Sequence, residues 1–362
     1  MTSEQIGTDG PAPPAGAPRP RRAGRVVAGV AAWAGVAAWG AWAVMRVAGA
    51  DRLPGVAPQA APLLAVTPYV AAAAPISIIA ALLLRRRRAA LAAALVTAVL
   101  AASVVPRAVG GGQPGARGPV LRVLTVNLYF GEADAGRVVD LVRRNRADVL
   151  SLQELPPSAV TRLERAGLAD LLPHKAVDAR SGAAGSGLYS RYALTRLPDL
   201  PRTRMAMPRA ELTLPGGRRV EVTAIHPIPP LAGALHDWRR DLDALPAART
   251  AVAAGTRITG SGARASAPAP GGGDGAPVRI LAGDFNATLD HASLRRILDR
   301  GYADAADRTG AGLVPTWGLD APAPALTIDH ILVDARCAVR DVSVHDVAGS
   351  DHRAVYAEIR LP

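Results

Sequence analysis

The chain is poor in cysteine, lysine and aromatic residues, and each scarcity excludes something. Its single cysteine, Cys337, excludes an intrachain disulfide and any cysteine-based zinc cluster. Only one of its 42 basic residues, Lys175, is a lysine. With Ala, Gly and Pro abundant as well, the arginine excess reflects biased composition and carries little functional weight. Aromatic residues make up 4% of the sequence, which leaves few platforms for stacking nucleic-acid bases. No Gly-x-Ser-x-Gly elbow, no Gly-x4-Gly-Lys-Ser/Thr loop and no His-Glu-x-x-His helix motif occurs, so the best-known serine-hydrolase, nucleotide-loop and zinc-protease signatures are missing.

What is present begins with size and hydrophobicity. The 362 residues are 49% hydrophobic and 20% charged, which excludes a wholly disordered chain and allows about two folding units. The net charge of +12 is unevenly spread. Ten arginines against three acids leave +7 before residue 107, and the remaining +5 lies after it.

The first third reads as membrane. Residues 26–45, 60–84 and 89–106 are three runs without a charge, and about twenty apolar residues span a bilayer as a helix. Trp33, Trp39 and Trp42 lie in the first run and Pro62, Pro68 and Pro75 in the second. A signal peptide would show one short apolar core with a cleavage site, so the sequence predicts an anchor of three transmembrane helices over 25–106. Arg19, Arg21, Arg22 and Arg25 precede the first run, Arg85 to Arg88 separate the second from the third, and only Arg46 and Arg52 lie between the first two. The positive-inside rule then puts both clusters in the cytoplasm and everything after residue 106 outside it. Residues 1–24 read as a disordered cytoplasmic tail, and 107–118 as a Gly-rich linker that acts as a hinge.

From residue 119 to 362 the pattern is α/β. Strands are predicted over 121–128, 148–153, 219–225, 278–283, 327–333 and 353–360, with an amphipathic helix over 135–145. The stretch 255–277 is low complexity and reads as a loop or insertion. Polar residues gather where these strands end: Asn127, then Gln153 and Glu154, then His226, then Asp284 and Asn286, then Asp329 and His330, then Asp351 and His352. Singly, each has an ordinary structural reading as a turn residue or surface acid. Together they place carboxylates, amides and imidazoles at strand ends, where α/β folds build sites. His174, His236, His291 and His345 read as surface or packing residues, and Cys337 as a small buried apolar one.

Gln153-Glu154, Gly283-Asp284-Phe285-Asn286, Ile328-Asp329-His330 and Ser350-Asp351-His352 follow one another in an order and spacing that resembles the endonuclease/exonuclease/phosphatase superfamily. Lesser matches are Thr125-Val126-Asn127, the segment 187–191, Ile225-His226-Pro227 and Pro315-Thr316-Trp317; Thr125, Tyr129 and Ala224 stand where many members carry other residues. The resemblance covers 119–362. It implies a four-layer α/β sandwich, two mixed β-sheets face to face with helices outside, and metal-dependent hydrolysis of phosphoesters. It also implies Glu154, Asn127 and Asp351 around the metal, Mg2+ or Mn2+. Asp284 would orient or deprotonate the attacking water, Asn286, His226 and His352 would contact the phosphate, and Asp329 would support His352. The expected substrates are nucleic acid, a phospholipid headgroup or a small phosphoester, cleaved by a monomer at the membrane. The competing expectation is a catalytically silent binding or scaffold module of the same fold.

Overall fold

A computed structural model describes residues 20–362 apart from 202, 232, 249–276, 320–321 and 323. Most of the expected tail, and all but the last residue of the low-complexity stretch 255–277, lie outside the described residues.

Twelve strands are described: β1 (Val120–Asn127), β2 (Val149–Gln153), β3 (His174–Asp178), β4 (Ser186–Ser190), β5 (Leu194–Arg196), β6 (Arg209–Thr213), β7 (Arg219–Ile225), β8 (Val278–Asp284), β9 (Tyr302–Asp304), β10 (Asp329–Asp334), β11 (Ala338–Asp346) and β12 (Arg353–Arg360). They form two six-stranded sheets, in the orders β11-β12-β1-β2-β4-β3 and β5-β6-β7-β8-β10-β9. The pairs β1–β2 and β7–β8 are parallel and the other pairs antiparallel, so both sheets are mixed.

Side chains alternate between the faces of a strand, and this sorts the core into layers. Leu121 and Val123 of β1, Val149 of β2, Val220 and Val222 of β7, Ile280 of β8, and Ile331 and Val333 of β10 pack together between the sheets. The opposite parity, Leu124, Val126, Leu150 and Leu152, packs against Val138, Leu141 and Val142 of the helix Ala135–Arg144 and Leu163 of the helix Pro157–Arg165. Outside the second sheet, Leu281 and Phe285 pack with Trp238 of the helix Leu235–Asp243 and Leu294 of the helix Ala292–Leu298. The result is helix, sheet, sheet, helix: the expected four-layer sandwich.

The apolar N-terminal third is helical. Gly24–Val47 and Arg87–Val104 are long and apolar enough to cross a membrane. The second run departs from a single straight helix over 60–84, since Ala57–Leu64 and Thr67–Leu83 meet at 67°. Prolines account for this. Pro68 and Pro75 sit at the first turns of Thr67–Ala73 and Pro75–Leu83, and neither can donate to a preceding turn. The helices pack through small residues, Ala32 with Ala81, Ala89 and Ala90, and Ala43 with Ala74 and Leu100, as close helix pairs in membranes do.

This helical segment is seated on the sandwich. Ala57 and Ala61 enter the outer layer beside Trp238 and Leu294. The Asp51 carboxylate accepts hydrogen bonds from the Ala292 and Ser293 N–H groups (both 2.9 Å) and from Ser293 Oγ. Arg107 forks onto the buried Asp290 at 2.6 and 2.8 Å, and Arg46 reaches the same carboxylate at 2.6 Å. The stretch read as a hinge runs along the sandwich. Gly111 N–H donates to Arg308 O, Gly118 N–H to Leu361 O, and Gln113 Oε1 accepts from Val339 N–H.

Candidate active site

The alternation that builds the layer between the sheets also places the site. Continuing the inward parity to the strand ends gives Asn127 on β1, Gln153 on β2, Asp284 on β8 and Asp329 on β10, with His226 just past β7. All five are buried, so the gap between the sheets closes in polar groups at one end. Gln153 is absorbed structurally: it accepts from Thr125 Oγ1 (3.1 Å) and donates to Ser151 Oγ (2.9 Å), which donates across to Ala282 O (2.8 Å). Its neighbour Glu154 turns into the site with φ of +53°.

Three groups of contacts define the geometry. Asn127 Nδ2 lies 3.2 Å from both Glu154 Oε1 and Asp284 Oδ2 and donates to each. His226 Nε2 stands 3.8 Å from those same two oxygens. On the other side, His352 Nδ1 is 2.9 Å from Asp329 Oδ2, while its Nε2 faces Asp284 Oδ2 at 3.7 Å. One imidazole nitrogen is thus taken by a carboxylate and the other is left toward the cleft.

The loops that carry these groups are tightly held. Asp284 Oδ1 accepts the Asn286 N–H at 2.7 Å, an Asx-type turn, and Asn286 (φ +49°) donates from Nδ2 to Pro227 O at 3.0 Å. A Cβ on Gly283 would lie 2.0 Å from Ile225 O, so the approach of β8 to β7 requires glycine there. Ser350 Oγ donates to Asn127 O (2.8 Å) and accepts from His352 N–H (3.0 Å), tying β1 to the turn before β12. Thr316 Oγ1 accepts from the N–H groups of Ile328 and Asp329, both at 3.0 Å.

Burial and neighbouring charge set the protonation states. For His352, burial works against the charged form, but the Asp329 charge and hydrogen bond, with Asp284 beyond, outweigh it and raise its pKa to about 10. For His226, burial and the nearby His352 lower the pKa to about 4, so it is neutral at pH 7. Asp284 is raised to about 7 by burial and then by Asp329, which lies directly opposite it in the antiparallel β8–β10 register. At neutral pH the site therefore holds one imidazolium, one neutral imidazole and a carboxylate whose pKa burial and Asp329 push upward.

Among the described residues that line the cleft, of about 470 Å³, there is no arginine or lysine. Glu154, Asp284, Asp351 and His352 line it. Asp284, Asp329 and His352 each bring one ligating atom to within 4.8 Å of the others. The carboxylates and the amide gathered here, without thiolate, fit a hard divalent cation, and so does the excess of acids over cations.

Of the residues expected around a metal, Glu154 turns into the cleft, with Oε2 accepting the Phe130 N–H at 2.7 Å. The Asn127 amide nitrogen faces the carboxylates, and its oxygen accepts from Tyr129 N–H at 3.0 Å. Asp351 is 40% exposed at the rim, where it accepts from Trp317 Nε1 at 2.9 Å. His330, of the Ile328-Asp329-His330 block, does not line the cleft and is buried against Asp304 (2.6 Å). Of the histidines expected to be surface or packing residues, His291 packs beside Trp238, contacts Ala61 O at 2.8 Å and also lines the cleft. Cys337 is buried, with its thiol pushed up to about 12. Sequence reasoning missed Ser350 as a brace and Tyr129 and Phe130 as rim aromatics. The signal for the latter was their place in the turn that follows Asn127 and Leu128.

Two face-to-face mixed sheets, with acids, an amide and an Asp-supported imidazole converging at one end of the gap, define a phosphoesterase-type sandwich. The sequence matches the Endonuclease/Exonuclease/phosphatase family over residues 124–352, and the chain belongs to that family, whose members are metal-dependent phosphoester hydrolases. Among solved structures it is similar to an endonuclease/exonuclease/phosphatase from Beutenbergia cavernae (20% identity, 67% of this chain and 72% of that one, TM-score 0.48). It is also similar to D. rerio TDP2 complexed with a single-strand DNA product (16%, 66% and 98%, TM-score 0.48) and to sphingomyelinase C from Streptomyces griseocarneus (16%, 66% and 99%, TM-score 0.40). No curated protein matches it.

Proposed function

We propose that the chain is a membrane-anchored phosphoester hydrolase whose catalytic sandwich faces out of the cytoplasm. The observation that carries the catalytic part is the convergence of Asn127, Glu154, His226, Asp284, Asp329 and His352 from both sheets at one end of the interlayer gap.

In this reading Glu154, with Asn127 and Asp351, would hold a divalent cation, Mg2+ or Mn2+, which would supply positive charge for the phosphoryl oxygens in a cleft whose described lining has no other fixed cation besides His352. The second lone pair of the Asn127 oxygen remains for that role. Asp284, with its pKa near 7, orients a water and takes its proton. The water oxygen bonds to phosphorus, the P–O ester bond breaks, and a proton ends on the leaving oxygen. His352 Nε2 contacts the phosphoryl oxygens as a cation, because Asp329 holds Nδ1–H and stabilises the charge. Neutral His226 and the remaining N–H of Asn286 donate to the same oxygens.

The helices Gly24–Val47 and Arg87–Val104, with the bent pair between them, form the anchor, and the two arginine clusters orient it. The test of the catalytic reading is hydrolysis of bis(p-nitrophenyl) phosphate by the detergent-solubilised full chain with Mg2+, Mn2+ or EDTA. Turnover with either metal, abolished by EDTA, is expected; none with either metal would sink it. Reporter fusions after residue 110 test orientation, and activity from a cytoplasm-only reporter would reverse it.

A further inference from the structure

One wall of the catalytic cleft does not belong to the sandwich. Ala61, Pro62 and Ala65 of the anchor's bent segment line it together with Glu154, Asp284 and His352. The same segment is bonded to the sandwich next to the site: Ala61 O meets His291 Nε2 at 2.8 Å, and Tyr69 Oη donates to Ala325 O at 2.7 Å. Beyond the 67° bend and the helix Thr67–Ala73, the helix Pro75–Leu83 exposes Ile76, Ile79, Leu82 and Leu83. Apolar groups continue around the rim: Tyr129 and Phe130, 41% and 51% exposed, and Leu231, 66% exposed, all line the cleft. Tyr129 and Phe130 hold positive φ angles of 47° and 53°, conformations costly for aromatic residues. Their N–H groups bond to Asn127 Oδ1 and Glu154 Oε2, which fixes the two rings beside the reacting groups.

Charge argues in the same direction. A polynucleotide brings a phosphate at every residue and is held by lysines and arginines. The described cleft lining contains neither. The cleft is built for one phosphoester group with an apolar substituent beside it.

From this we infer that the anchor's bend is part of the substrate site, and that the substrate is a lipid phosphoester taken from the bilayer in which the chain is anchored. The inference rests on the phosphoesterase reading above and names the substrate class for that same site. The phosphoester sits among Glu154, Asp284 and His352, while the first methylenes of its apolar chain lie against Pro62, Ala65, Phe130 and Leu231.

The test uses the full chain in nanodiscs, with methyl p-nitrophenyl phosphate and hexyl p-nitrophenyl phosphate below any micelle-forming concentration, and with a 20-nucleotide single-stranded DNA. A third arm reconstitutes the full chain into vesicles of dioleoylphosphatidylglycerol and dioleoylphosphatidylcholine, so that these lipids lie in its own bilayer. The hexyl ester is expected to exceed the methyl ester in kcat/KM by at least about tenfold, since each buried methylene contributes ~0.8 kcal/mol. The vesicle lipids are expected to be cleaved and the DNA left intact. Pro62→Asp and Leu231→Asp, both at exposed positions, are each expected to bring the hexyl-to-methyl ratio close to one. Equal kcat/KM for the two esters, a hexyl preference unmoved by both variants, or DNA cleaved faster than the vesicle lipids would overturn the inference alone. Cleavage of no substrate in any metal would overturn the phosphoesterase reading beneath it.

Discussion

Asp329 Oδ2 and His352 Nδ1 lie 2.9 Å apart, both side chains buried, and the pair bridges the first turn of β10 to the turn before β12. A carboxylate in that place fixes the imidazole tautomer and favours its charged form. Asp329→Asn keeps the shape and removes the charge. Turnover of a phosphodiester is expected to fall at least about a hundredfold, the scale for losing charge stabilisation or a proton-transfer group. A folded variant with near wild-type turnover would remove the pair from the mechanism.

The same pair sets a pH dependence of stability. His352 is raised from an ordinary 6.5 to about 10, so between those values the folded chain binds a proton that the unfolded chain does not. Stability then falls as pH rises through that window. The contribution is complete below about pH 6.5 and gone above about pH 10. Thermal midpoints of the wild type and Asp329→Asn should therefore lie furthest apart near pH 6 and converge toward pH 10. A gap that widens with rising pH would contradict the assignment.

Glu154 enters the cleft in a left-handed backbone conformation, held by Phe130 N–H and Asn127 Nδ2. Removing its charge while keeping its shape, as Glu154→Gln does, is expected to abolish most of the thermal stabilisation by divalent metal. A ligand at a hundred times its Kd stabilises by ~2.7 kcal/mol. The readout is the shift in midpoint on titrating Mg2+ or Mn2+ into wild type and variant. An equal shift in both would place the cation elsewhere.

Asp290 is buried completely and receives both Arg107 and Arg46, whose guanidinium groups overcome the burial that would otherwise raise its pKa. Asp290→Asn leaves two guanidinium groups without their anion, and breaking a buried pair costs ~3–5 kcal/mol. Arg52–Asp243 joins the same two parts of the chain with its acid 46% exposed, and exposed pairs contribute about 0–1 kcal/mol. Chemical unfolding in detergent should thus separate Asp290→Asn from Asp243→Asn by ~2 kcal/mol or more. Equal effects would show that burial of the first pair does not govern its contribution.

Much of this site was legible from strand periodicity and from what stands at the strand ends. Asn127, His226, Asp284 and Asp329 share the inward parity of Val123, Val222, Ile280 and Ile331, so the alternation that predicts the core also aims these groups into one gap. Strands β3, β4, β5, β6, β9 and β11 were not predicted. β5 and β9 are three residues long, too short to show a period, and β11 is half-buried and mixed along its length. The orientation of Asn127 depends on Tyr129 N–H, a contact that spacing does not encode. Least legible was the union of the N-terminal helical segment with the sandwich. Asp51 to Ser293 and Arg107 to Asp290 are pairs more than 180 residues apart, and a glycine-rich composition reads as a hinge whether or not tertiary hydrogen bonds pin it.

That union makes a prediction about the sandwich by itself. Residues 119–362 alone would lack Ala57 and Ala61 against Trp238 and Leu294, the Asp51 cap on Ala292 and Ser293, and both arginines on Asp290. The Asp290 carboxylate would then lose both guanidinium partners and the outer layer its apolar cover, each a loss of folded-state stabilisation. The isolated segment should unfold at a clearly lower temperature than the full chain in detergent, and its outer apolar layer should bind a hydrophobic dye such as ANS. Restoring residue 290 as a neutral group, Asp290→Asn, should raise the midpoint of the isolated segment while lowering that of the full chain, because the arginines are present only in the latter. A midpoint for 119–362 equal to that of the full chain would mean that the helical segment merely rests on the sandwich without contributing to its stability.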